Sequence, residues 1–340
     1  MSYLFPSSTI TFDAALRDIA QGSPRARAFA AHALGDVTDP TEKRRALEAL
    51  IRALDDDRLE VRAEAASSLG DLREPAALPS LIKRLDDGAP IVRQNAAIAL
   101  GTIGHPDGFE PLATALRDGP GDLRFQAATS LAEIDRVKAF DPLAGALTDK
   151  DPQVVAAAAL SLGAIGDARA VPLLSPLVEH KDRGTRFDVA YALAELGDPT
   201  GRPVLIEELD DLDRAWDAVV ALETLGTPDD IKALSRSLSN KRMPPEATVL
   251  AAAAVLRKSD HDPSLPAPSG RGSENDPARK VLLAALVARK VHVRGLAVEQ
   301  LAEVGGVWAR EPLEKLARTG KGSELLEPIA QALRAIAERT

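Results

Sequence analysis

Residues Val61–Gly70 read Val-Arg-Ala-Glu-Ala-Ala-Ser-Ser-Leu-Gly, and Val92–Gly101 read Val-Arg-Gln-Asn-Ala-Ala-Ile-Ala-Leu-Gly, 31 residues later. Weaker copies stand at Leu123–Ala132, Val154–Gly163 and Thr185–Ala194, at the same interval. Three further series share the step: Leu54, Leu85, Leu116, Leu147, Val178 and Leu209; Arg62, Arg93, Arg124, Val155 and Arg186; and Leu69, Leu100, Leu131, Leu162 and Leu193. A fixed period of this length marks a repeat architecture. Each unit is one supersecondary element that buries its apolar face only by stacking on its neighbours.

A single unit resolves into two helices. Leu78, Leu81, Ile82 and Leu85 have the spacing of one helix face. Asp86-Asp87-Gly88-Ala89-Pro90 then supplies a turn and a helix start, with proline suited to the first helical turn. The second helix, Ile91–Ile103, turns Val92, Ala96, Ala97, Leu100 and Ile103 inward. The fold expected is all-α, an α-solenoid of about ten antiparallel helical hairpins.

Working outward, Phe12–Ile19 and Arg25–Asp36 form a first, imperfect hairpin, and a small expansion at Thr38–Thr41 lengthens the next step. Beyond the regular block, Asp211–Gly226 and Pro228–Leu238 keep the pattern, and Pro244-Pro245 starts another helix. Ser259–Pro277 has four prolines and no apolar period, so it reads as a flexible loop or linker, open to protease near Arg271. Repeats resume at Ala278–Lys290 and Val291–Gly305 and close with Arg310–Arg318 and Glu324–Glu338. The organisation expected is an N-terminal segment and capping helix over 1–22, a repeat array over 23–258, the loop at 259–277, and C-terminal repeats and cap over 278–340.

The phrase Val-Arg-x-x-Ala-Ala-x-x-Leu-Gly resembles the HEAT-repeat family, and in particular the short HEAT-like repeats of phycobilisome-lyase type common in bacteria. That resemblance implies a solenoid whose second helices line a concave surface. For function it implies little, because such repeats serve many unrelated tasks.

Composition narrows the classes. The 340 residues carry a net charge of −9, with 45% hydrophobic residues and 3% aromatic. An acidic balance argues against broad contact with nucleic-acid phosphates. The absence of cysteine removes disulfides, thiolate metal sites and cysteine nucleophiles. No basic region followed by an apolar core opens the chain, and Val249–Leu256 is far too short to span a bilayer, so a cytoplasmic location without membrane insertion is expected. Arginine outnumbers lysine 30 to 12 and alanine reaches 60, a composition that suits a GC-rich bacterial genome.

Catalytic constellations are missing. The five histidines share no register and none precedes a glutamate, unlike the iron-holding His-Glu pairs of the HEAT-like deoxyhypusine hydroxylases. No phosphate-binding loop, dinucleotide fingerprint or nucleophile elbow occurs. No metal, cofactor or small-molecule substrate is therefore expected, and the chain is read as not an enzyme.

Two residue groups stand out. Asp56, Asp87 and Asp118 each precede Arg62, Arg93 and Arg124 by six residues, spaced to form a structural ladder between repeats. The position after the motif arginine reads Ala63, Gln94, Phe125, Ala156, Phe187 and, after a shorter step, Trp216; Tyr191 lies one turn beyond Phe187. Rings at that register are either partner-binding anchors on the concave face or core fillers of the grooves between repeats. Gln126, Asp188 and Asp217 stand beside them and would give a mixed-to-acidic groove suited to a basic protein surface. The function expected is a protein-interaction scaffold or regulatory adaptor binding one or more proteins, in a bacterial signalling or polarity complex. The alternatives are a chromophore lyase-like enzyme and a nucleic-acid-binding HEAT-like protein.

Overall fold

The computed structural model describes residues 10–259 and 276–339, and among these all regular structure is helical. The chain divides into two compact units, Met1–Leu173 and Leu174–Thr340.

The first unit stacks five hairpins: α1 (Phe12–Gln21) with α2 (Pro24–Gly35), α3 (Pro40–Ala53) with α4 (Leu59–Leu72), α5 (Leu78–Arg84) with α6 (Pro90–Ile103), α7 (Phe109–Asp118) with α8 (Gly121–Ile134), and α9 (Arg136–Ala146) with α10 (Pro152–Ile165). The second helices α2, α4, α6, α8 and α10 pack on one another in sequence order. A four-residue helix, α11 (Val171–Leu174), carries the boundary between the units.

The second unit continues with a 3₁₀ segment (Ser175–Glu179) against α12 (Arg183–Glu195), then α13 (Arg202–Glu207) with α14 (Ala215–Leu225) and α15 (Pro228–Ser237) with α16 (Pro245–Ser259). It closes with α17 (Pro277–Ala285) against α18 (Val291–Val304) and α19 (Val307–Ala317) against α20 (Leu326–Arg339). Of the loop expected over 259–277, Ser259 ends α16, Asp276 caps α17 and Pro277 begins it. Residues 260–275, Arg271 among them, and the start of the chain lie outside the described residues.

The period has a direct structural meaning. Helices α4, α6, α8, α10 and α12 begin at Leu59, Pro90, Gly121, Pro152 and Arg183, each 31 residues after the last. Proline at the first helical position costs nothing there, since that N–H has no intrahelical partner. Left-handed residues end three of these helices. Gly104 (φ 68°) and Gly166 (φ 79°) follow α6 and α10, and Arg73 (φ 54°) takes the equivalent place after α4. The leucine series is the core, since Leu69, Leu100, Leu131, Leu162 and Leu193 are each at most 1% exposed. Small residues let the second helices approach closely: a Cβ on Gly101 would lie 2.8 Å from that of Ser130.

The boundary at 173/174 falls inside the stretch read from sequence as one continuous array. Pro172 and Pro176 stand where a first helix should run, and that helix is reduced to α11 and the 3₁₀ segment. Proline there removes intrahelical hydrogen bonds and clashes with the preceding turn. Val178, in the leucine series by spacing, is consequently only half-buried.

Candidate interaction surface

Arginine–carboxylate pairs link successive hairpins of the first unit. Arg27 donates to both carboxylate oxygens of Asp56 (2.7 and 2.8 Å), Arg62 to Asp87 (2.9 and 2.9 Å), Arg93 to Asp122 (3.0 and 2.8 Å) and Arg124 to Asp149 (2.7 and 2.8 Å). The same guanidinium turns back to the carbonyl of its own turn: Arg62 to Asp56 and Arg93 to Asp87, both at 2.9 Å, and Arg124 to Gly119 at 3.0 Å. Each arginine thus ties a hairpin turn to its neighbour with charge-assisted bonds. Those bonds hold the Asp87 and Asp149 carboxyls below the ordinary carboxylate range, against the opposing effect of burial. With both partners so engaged, these groups serve the stack.

Asp118 stands outside this ladder. It is exposed and pairs with adjacent Arg117 at 2.9 Å. Because α7 runs on to Asp118 and the turn shrinks to Gly119-Pro120, the carboxylate that meets Arg93 is Asp122, in the first turn of α8. Spacing alone could not distinguish the two. The ladder's run in the first unit ends at Arg124, since position 155 holds a buried valine. In the second unit Arg183 takes over the role, paired with buried Glu208 at 2.8 Å through two bonds.

The aromatic register splits. Phe125 (38% exposed) and Gln126 lie on α8 in the first unit, where the Gln126 amide donates to Thr129 Oγ1 at 2.8 Å. Phe187, Tyr191, Asp188, Trp216 and Asp217 lie on α12 and α14 in the second. Phe187 is core: it is 5% exposed, its ring lies 6.5 Å from that of Tyr191, and the Arg214 guanidinium sits 5.7 Å over it. The expectation that Phe187 faces a partner is corrected accordingly. Trp216 is 41% exposed. What covers Phe187 includes Arg214, from the turn before α14.

Asp188, Tyr191 and Glu195 follow at steps of three and four along α12 and so share a face, with exposed Trp216 and Asp217 on neighbouring α14. Burial lifts the Asp188 carboxyl to about 6; Arg214 opposes the shift, and Asp182 and Asp217 add to it. Burial, then Glu195 and Asp217, pushes the Tyr191 phenol up, and burial also raises Glu195. The patch is therefore an acidic, half-desolvated surface around an exposed indole, able to accept hydrogen bonds and cations. Glu195 lies outside the aromatic column, and the sequence signal that marks it is its i+4 spacing from Tyr191.

On the first-helix side of the first unit, a groove of about 440 Å³ between α7 and α9 is lined by residues including Arg117, Pro142, Gly145 and Asp149. Its charged groups are engaged, Arg117 with Asp118 and Asp149 with Arg124. Among the described residues no three His, Asp or Glu side chains gather as metal ligands, and no helix is long and apolar enough to cross a membrane.

No curated protein is matched by the sequence. Among solved structures, an engineered protein aligns over 96% of this chain and 99% of its own, at 20% identity and a TM-score of 0.41. The complex of CpcE and CpcF of phycocyanin lyase from Nostoc sp. PCC7120 aligns over 83% and 97%, at 23% identity and 0.39. Human deoxyhypusine hydroxylase in complex with glycerol aligns over 74% and 96%, at 21% identity and 0.35. Likenesses this distant attach none of those proteins' chemistry to this chain. The family profile for HEAT repeats matches residues 14–100, 80–161 and 143–223, well over half of the sequence. With its stacked helical hairpins and tandem matches, the chain belongs to the HEAT-repeat family.

Proposed function

We propose that this protein is a non-catalytic interaction scaffold that holds a protein partner on the α12–α14 face of its second unit. The observation that carries the reading is Trp216, a large ring 41% exposed on α14 and next in sequence to Asp217, whose charge acts on Asp188 and Tyr191 of α12. An exposed tryptophan bordered by hydrogen-bonding groups is the usual composition of a binding anchor. The acidic border selects partners that present lysine or arginine, and steers their approach. An adaptor role in a bacterial cytoplasmic signalling or polarity complex fits such a scaffold.

The experiment is to isolate partners from the native host with the wild-type chain, then measure the affinity of each purified partner for wild type, Trp216→Ala and Asp217→Asn. Truncating an anchor costs at least about 2 kcal/mol, or roughly thirtyfold in affinity. A partner that binds all three equally would place the interface elsewhere.

A further inference from the structure

Along the second unit the turn joining the two helices of a hairpin reverses its charge. It holds Asp211 and Asp213 before α14, but Lys241 and Arg242 before α16, Arg289 and Lys290 before α18, and Lys321 before α20. In the first unit the α3–α4, α5–α6 and α9–α10 turns hold aspartates, of which Asp56, Asp87 and Asp149 serve the ladder. The reversal coincides with a change in the ladder itself. Arg294, in the ladder position, donates to the carbonyls of Ala288 (2.9 Å) and Lys321 (3.2 Å) rather than to a carboxylate. Released from that duty, the last turns carry cations.

These turns are neighbours. Lys290 Nζ lies 3.6 Å from Glu246 at the start of α16, and Lys321 Nζ donates to the Val287 carbonyl at 3.4 Å. All five basic side chains are exposed, and two apolar ones stand among them, Val287 at 66% and Leu326 at 52% exposure. A cationic, partly apolar edge on a chain of net charge −9 is a local inversion of the protein's own field.

We propose that this edge docks an extended acidic segment of a partner polypeptide. Packed helices lie about 8–10 Å apart, so three successive turns span roughly 20 Å. Extended chain covers that distance in about six residues, at roughly 3.4 Å each. Carboxylates three residues apart therefore meet successive basic turns, and the residues between them can reach Val287 and Leu326. A lipid surface fits less well, because Glu324 and Glu327 flank Leu326 and would be driven against a continuous plane of anionic headgroups, whereas a peptide can set its uncharged residues there. Single-stranded nucleic acid fits less well too, because none of these turn residues is aromatic and no base could stack. This surface is separate from the α12–α14 face and does not depend on it.

The test uses the full chain and a fluorescent peptide of three Glu-Leu-Ser repeats, read by anisotropy. The triple variant Arg242→Glu/Arg289→Glu/Lys321→Glu should bind at least roughly tenfold more weakly, since each exposed contact contributes a fraction of a kcal/mol and three are reversed. A charge-matched control on the exposed first helices, Arg236→Glu/Arg310→Glu/Lys315→Glu, should stay within about twofold of wild type. Asp188→Asn should bind the peptide as wild type does, which separates this surface from the scaffold reading. Val287→Ser should weaken binding, and a peptide with serine in place of leucine should not feel that change. If the triple variant melts early, the single Arg289→Glu is read instead, with a smaller loss. The proposal fails if wild type does not bind the peptide, or if the charge-matched control loses as much as the triple variant. It fails equally if phosphatidylserine vesicles, and not the peptide, bind wild type and lose the triple variant.

Discussion

Phe187→Ala should unfold the second unit at a markedly lower temperature, while Trp216→Ala should leave its melting almost untouched. The two rings share a motif register and differ in burial, 5% against 41% exposed. Truncating a buried phenylalanine removes its transfer free energy and leaves a cavity, together about 3–5 kcal/mol. The Arg214 guanidinium, 5.7 Å over the ring, loses a contact contributing about 0.5–1 kcal/mol within that range. For a folding unit of this size each kcal/mol lowers the midpoint by about 2–4 °C, so Phe187→Ala should melt roughly 6–20 °C below wild type. Trp216 has water over much of its indole, and its truncation should move the midpoint by less than about 2 °C, as surface substitutions do. Thermal melts followed by circular dichroism give both values, and Phe187→Leu, which keeps most of the apolar volume, should fall between. A Phe187→Ala protein that melts with wild type, or a Trp216→Ala protein that falls as far as Phe187→Ala, would refute the assignment of core and surface.

Arg73→Gly should raise stability by about 1 kcal/mol, because Arg73 occupies a left-handed conformation (φ 54°) where α6 and α10 end on glycine; chemical denaturation reads the gain. Gly101→Ala should cost about 1–3 kcal/mol through its close approach to Ser130, and Ser130→Gly in the same chain should restore most of the loss. Arg124→Ala should cost roughly 2–3 kcal/mol by stripping the charged bonds from Asp149. Asp87 and Asp149 have carboxyls below their unfolded value, so their contribution is full above about pH 4 and is lost as pH falls through the lower folded values; in acid melts Arg124→Ala should lose less stability than wild type, by the Asp149 share, while keeping the loss due to Asp87 and its partner Arg62. Asp188 is the opposite case: its carboxyl is raised to about 6, so ionising it penalises the folded state increasingly from pH 4 to 6 and constantly above. Asp188→Asn should therefore melt above wild type at pH 8 and with it near pH 4, and a uniform difference across that range would contradict the cause given.

The sequence by itself determined the hairpin architecture, because a repeat that buries one face per helix must place its apolar residues at fixed intervals. Leu69, Leu100, Leu131, Leu162 and Leu193 are both the period and the core, and the ends of the helices are written in the prolines and glycines beside them. The ladder arginines were also legible, since a long charged side chain recurring at one register needs a recurring partner. What the period could not supply was which carboxylate each arginine meets. Asp118 and Asp122 are equally plausible by spacing, and the choice depends on how far α7 continues before its turn. The boundary near residue 173 was likewise hidden, because the leucine series runs on through it by spacing.

The aromatic residues mark the limit most clearly. Phe125 and Phe187 each stand four residues into their helices, yet one is 38% exposed and the other 5%. Periodicity records which side of a helix faces its own hairpin, a local property carried within one repeat. Exposure at the margin of that side is decided by a side chain from the next hairpin, and for Phe187 that side chain is Arg214, whose position comes only from the tertiary stack.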